Sequence, residues 1–367
     1  AFRHWGVSQP GDDLDAGTAG ILSAWSMTTE NTGETRPRAT DQVEFLTRRQ
    51  YALYTRMKDA FYDLGIRKMV AASNWKTADP SNLAPLEHYS YTAVDVVNKN
   101  EYFAPIKVDS PRFYATDVGD RFVPLSSMRA PEMAGVLMNA QVADWPYMIT
   151  ENNWDEPNVY RTEWPFLVAT YGAAGGIDGW NFFAYDTPMW DTGNRTWRIN
   201  TPETLGQFPA YALMYRRGDV AESQPVVVEH TPLARLYAGN PIALPEIQYK
   251  DEVWKRTLGG DPTVEYESEI DPRAFFAGSV KLHLDADQRR VKTHRLHELL
   301  DLENGVVHNT NDQLQWRYDD GYVIVNTAHS QGVCGFLGEA GEVPLRDAKF
   351  KMDNPYGTLV AVSLDDA

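Results

Sequence analysis

Tyr147-Met148-Ile149-Thr150-Glu151-Asn152-Asn153-Trp154 is a short apolar run that ends in four polar residues and an indole. It is the pattern of a buried strand delivering polar groups to a pocket at its C-terminal end. Glu151 is the first charge after the apolar residues. The amides of Asn152 and Asn153 suit hydroxyl groups, and the indole of Trp154 suits a flat ligand face. A carboxylate among amides and rings fits sugar chemistry, whose oxocarbenium-like transition state needs a nearby negative group. The same residues also fit a strand that simply runs out into a loop with a solvated Glu.

Working outward, Ile66–Trp75 repeats the design, an apolar run tipped by Ser73, Asn74 and Trp75. Tyr89–Val97 reads as a strand, and Ile177–Tyr185 as another that ends at Asp186. Helices fall between them. Residues 41–64 place Val43, Leu46, Leu53, Met57, Phe61 and Leu64 on one face, with Asp41 and Glu44 as a capping box and Gly65 as the stop. Further helical pieces are expected at Ala134–Gln141, Trp164–Gly172 and Thr204–Arg217, the last closed by Gly218. The alternation over 41–217 predicts a parallel α/β arrangement. Gly172–Gly176 lacks the P-loop Lys and the GxGxxG spacing, so a (β/α) barrel fits better than a nucleotide-binding open sheet. From about Gln224 the chain changes character. Pro225–Glu229, Leu314–Tyr318, Tyr322–Asn326, Gly332–Leu337 and Thr358–Leu364 read as short strands of an all-β C-terminal domain. The expected division is residues 1–222 and 223–367.

Composition removes several classes. With 51 acidic against 34 basic residues, the net charge is −17, which argues against nucleic acid and anionic membrane surfaces. No run approaches the ~18–20 apolar residues of a membrane span. Cys334 is the sole cysteine, so there is no intrachain disulfide or multi-Cys zinc site, and it reads as a small core residue. His294 and His297 have i, i+3 spacing without HExxH or a third ligand, so no metal or other cofactor is expected. No GxSxG elbow supports acyl transfer. Eleven Trp and 19 Tyr suit a carbohydrate cleft, and large cores use such rings as well.

Four stretches together resemble the second half of the clan A glycoside hydrolases, near the agarase, porphyranase and family 42 β-galactosidase groups. They are Ala71–Thr77, Ile149–Trp154, Gly175-Gly176-Ile177-Asp178-Gly179, and Leu205–Ala210 with Tyr215-Arg216-Arg217-Gly218. The resemblance covers about residues 40–225 and extends loosely into the β-rich tail. It implies a (β/α)8 TIM barrel of which this chain carries strands five to eight, at Ile66–Trp75, Tyr89–Val97, the Glu151 strand and Ile177–Tyr185. It implies a retaining double displacement with Glu151 as nucleophile, acting on a polysaccharide or oligosaccharide, galactan-type substrates included. It also implies an exported enzyme, extracellular or periplasmic.

The chain departs from that pattern at the acid/base, since no Asn-Glu pair precedes the helix at 41. Glu30 is the one nearby candidate, and it lacks an apolar strand before it. The expectation is therefore a C-terminal portion whose partner is the missing N-terminal half of the barrel, which supplies the acid/base. Tyr91 is expected to hydrogen-bond Glu151. Asn74, Trp75, Asn152, Trp154, Tyr185 and Trp190 are expected to hold the sugar. The alternatives are a non-catalytic carbohydrate-binding or structural protein on the same fold, and a lyase or isomerase with a carboxylate base.

Overall fold

The computed structural model describes residues 2–23, 26–27, 33–74, 80–108, 116–185, 195–246 and 268–365. Glu30, Trp75, Asp186 and Trp190 lie outside the described residues. The first long element is helix α1 (Arg36–Asp63), which starts five residues earlier than expected and has Pro in its first turn. Asp41 sits inside it and accepts the Trp5 indole N–H, so it is no cap. The helix stops at Leu64, and Gly65 continues in the left-handed region at φ +84°. Its inward face is Arg38, Ala39, Val43 and Thr47. Buried Arg38 forks onto both carboxyl oxygens of Asp12 at 2.7 and 2.8 Å and donates to the Gly20 carbonyl, which ties residues 7–22 down. The expected inward stripe is largely outward: Leu53 and Met57 are 45% and 44% exposed, and Leu64 more so. Periodicity identified the helix and misassigned its buried side.

Helix α2 (Pro80–Tyr91) packs on α1 through the stacked Tyr51 and Tyr89 rings. Four segments then lie side by side in chain order. Val70–Asn74 meets the next through an Ala71–Val96 parallel bridge and an Asn100 N–H to Asn74 carbonyl bond of 3.1 Å. Strands β1 (Val97–Phe103), β3 (Tyr147–Trp154) and β4 (Gly179–Phe182) pair in parallel, in the order β1-β3-β4. Between β1 and β3 the chain forms β2 (Ala140–Val142), preceded by 3₁₀ turns and not by the expected helix. After β3 comes α3 (Glu163–Leu167), continued by a π turn over Val168–Gly172. Gly172 is required there, because a Cβ would sit 2.8 Å from the Trp180 indole on β4. Helix α4 (Phe208–Arg217) ends at Gly218 in the left-handed conformation, as the sequence predicts.

A second sheet joins β2 to β5 (Pro225–Pro232), β6 (Ser279–His283) and β7 (Asp285–Thr293) in the order β2-β6-β5-β7. Its members come from both sides of residue 222. The tail forms six antiparallel strands in chain order: β8 (Leu300–Asp301), β9 (Val306–His308), β10 (Leu314–Arg317), β11 (Tyr322–Asn326), β12 (Ser330–Gly335) and β13 (Gly357–Val362). One buried apolar cluster runs from Leu22 through the parallel sheet to Trp316 and Cys334. Cys334 is a buried core residue, as expected. Tyr356 just before β13 and Ser127 before β2 both hydrogen-bond the buried Glu163 carboxyl of α3.

Candidate functional site

Strand β3 has one residue more than β1. Lys99 faces Ile149 and Asn100 faces Glu151, leaving Thr150 unmatched, and the register against β4 shifts in the same interval. This is a β-bulge. Its hydroxyl donates to the Asn100 side-chain oxygen at 2.8 Å and to the Lys99 carbonyl. Side chains alternate along a strand, so the extra residue exchanges the two faces. Before the bulge Tyr147 meets His88 of α2. After it Asn152 and Trp154 meet Trp164 of α3, with the Trp164 indole N–H on the Asn152 oxygen. Both contacts are to the helix layer. Glu151 is thereby turned to the opposite side, where it stands half-buried.

Across from it, Asn98, Asn100 and Tyr102 alternate along β1 toward the same side. The Tyr102 hydroxyl donates to the Glu151 carboxylate at 2.5 Å. Burial, and then that bond, holds the Tyr102 phenol far above its ordinary range, so it keeps its proton and acts as a donor. Buried Asp155 adds its charge to the same effect. The rings of Phe183 and Trp197 stand 6.3 and 6.2 Å from Tyr102 and form a wall beside it.

Several expected assignments change. Tyr91 is not the partner of Glu151. It closes helix α2, is buried, and faces Glu87 and Ser73. Asn152 is buried on the helix side, its amide donating to the Asn181 carbonyl at 2.9 Å. Trp154 is buried there too, packed 4.9 Å from Phe103. Both face the helix side, away from Glu151. Asn74 is half-buried beside β1, and Tyr185 is 57% exposed beyond the end of β4. Trp75 and Trp190 fall outside the described residues.

Tyr102, Asn100, Phe183 and Trp197 were missed, and Asn153, read as a hydroxyl-binding amide, spends both its protons on backbone carbonyls. The signal for the first two was present in Val97-Asn98-Lys99-Asn100-Glu101-Tyr102-Phe103, a period-two set of amides and a phenol inside a buried strand. Phe183 and Trp197 lie outside strands, where no periodicity points to them. The chain was compared with family models, with curated proteins and with solved structures, and none of the three comparisons gives a match.

Proposed function

We propose that this chain is the second half of a (β/α)8 barrel from a retaining glycoside hydrolase, with Glu151 as the nucleophile. The observation that carries the reading is the Tyr102–Glu151 bond between two parallel strands, in the C-terminal half of each, beside a wall of two aromatic rings. Support also comes from the unbroken chain order of the parallel segments at 70–74, β1, β3 and β4. Four βα units do not close an eight-stranded barrel, so the reading includes a partner that brings the other four and the acid/base carboxyl.

In this mechanism one oxygen of Glu151 attacks the anomeric carbon while the Tyr102 hydroxyl holds the carboxylate in place. A hydrogen bond to a charged group contributes about 1.5–3 kcal/mol. The aglycone oxygen departs with a proton from the partner's acid, expected ~5–5.5 Å from Glu151. That group then takes a proton from water, which attacks the same carbon and frees Glu151. The substrate is a polysaccharide or oligosaccharide, galactan-type chains included, encountered outside the cell or in the periplasm.

The test uses fluoroglycosides with a dinitrophenolate leaving group, which departs without needing a proton and so does not depend on the partner's acid. Galacto-, gluco-, manno- and xylo-configured reagents are incubated with the chain, and the peptide that carries residue 151 is weighed. The expected result is one fluoroglycosyl unit on Glu151 in the native chain and none in Glu151→Gln. Absence of label with every reagent, or equal label in the variant, rejects the reading.

A further inference from the structure

We propose that Asn153, clamped by Arg161, is the positioning residue that sets the aromatic wall beside Tyr102, the hydrogen-bond partner of Glu151. It lies two residues beyond Glu151 on the same side of β3 and is fully buried. Its amide nitrogen has two protons, and each is used. One goes to the Phe183 carbonyl and one to the Trp197 carbonyl, both at 2.6 Å. Its oxygen accepts from the Arg161 guanidinium at 3.3 Å. A single primary amide therefore fixes the two backbone points from which the wall rings project. A carboxylate has no proton to give and an aliphatic side chain has neither function, so an amide is the matched group.

Arg161 holds that amide in turn. It is 1% exposed. Its Nε donates to the Trp154 carbonyl at 2.6 Å, and its other nitrogens reach Glu156 at 2.7 Å, Glu203 at 3.0 Å and the Arg198 carbonyl. Arg198 closes back onto Glu156 at 3.0 Å. The strand end and the 197–203 loop are thus joined through one guanidinium. The rings continue the line: Trp197 and Phe183 lie 6.0 Å apart, and each flanks Tyr102, whose hydroxyl holds Glu151. The inference uses the proposed function only to say what the held wall serves.

The test is Asn153→Asp, which keeps the shape and changes only the protons. When protonated, the introduced carboxyl still donates to one carbonyl. When ionised, it sets a bare oxygen against both and releases the wall. Acrylamide quenching of Trp197 fluorescence is read as the difference between each protein and its Trp197→Phe counterpart. At about pH 8, where the introduced carboxyl beside Arg161 is ionised, the Asn153→Asp signal is expected to stand about threefold above the native one. A folded Asn153→Asp with native-like quenching at that pH overturns the proposal. Should that variant not fold, Arg161→Lys keeps the charge and loses the fork, and its quenching is expected to be about twofold above native. Unchanged quenching there overturns it equally. No substrate enters the measurement. Failed covalent labelling with the quenching result intact rejects the enzyme reading alone, and the reverse rejects the positioning role alone.

Discussion

Glu87 and His88 are neighbours on α2 whose protons respond to burial in opposite ways. Burial pushes the Glu87 carboxyl up from 4.5 to about 7, against hydrogen bonds from Tyr91 and Gln50 that pull it down. Burial pushes the His88 imidazole down from 6.5 to about 4. The folded chain keeps the Glu87 proton where the unfolded chain has released it. Its contribution is therefore complete below about pH 4.5 and is lost as pH rises through about 7. His88 is neutral in the fold, so its contribution is complete above about pH 6.5 and is lost as pH falls through about 4. The two slopes oppose each other over most of that range. At 1.36 kcal/mol per unit, each is worth at most about 3 kcal/mol. Removing one should expose the other. In urea melts, Glu87→Gln is expected to gain on the native chain between about pH 5 and about pH 8, by up to about 3 kcal/mol. A gap that does not widen with pH contradicts this. The same stretch explains why Tyr91 was misread. Ser90 and Thr92 look like strand residues, yet their hydroxyls satisfy helical carbonyls at Glu87 and Tyr89, at 2.6 and 2.7 Å. A residue that favours strands on average serves here to finish a helix.

Among the elements, α3 is fastened by a carboxyl held through hydroxyl and amide donors. Glu163 is buried and accepts from the Ser127 N–H at 3.0 Å, the Ser127 hydroxyl at 2.7 Å and the Tyr356 hydroxyl at 2.7 Å. Burial raises its pKa in spite of those donors. Three chain segments meet at this one side chain, two of them far apart in sequence. Tyr356→Phe removes one donor and keeps the ring packed on Tyr160 and Phe336. The expected loss is about 1–3 kcal/mol in a denaturant melt, with the slope unchanged. No measurable loss would mean that the bond contributes nothing net. The meander β10–β13 was readable because short alternating runs between turns need only local information. The start of β1 at Val97 was not readable, because Val94, Val96 and Val97 are all buried and give no alternation to count. The second sheet escaped too: β2 is three residues long and pairs with β6 more than 130 residues away.

For the whole molecule, the sequence conveyed a parallel α/β half and a β-rich tail, but not that they share a core and a sheet across residue 222. Local patterns carry no record of which distant strands pair. The apolar face of α1 belongs to this scale as well. Phe45, Leu46, Leu53, Met57, Leu64, Ile66 and Met69 are all exposed within 25 residues, a density that favours self-association. Leu53→Gln combined with Met57→Gln should leave the melting free energy within about 0.5 kcal/mol of native and reduce light scattering in concentrated solution. A large loss of stability would show that this face is covered in the native chain. The Thr150 bulge has a consequence of its own. Because a strand has a two-residue repeat, a chain shortened by that single hydroxyl residue would keep every pairing partner and set Glu151 straight after Ile149, still on the side away from the helices. Deleting Thr150 removes its two hydroxyl contacts to β1 and leaves the side taken by each later residue unchanged. The bulge lets this strand carry one letter more than its neighbour while Glu151 stays opposite Asn100 and within reach of Tyr102.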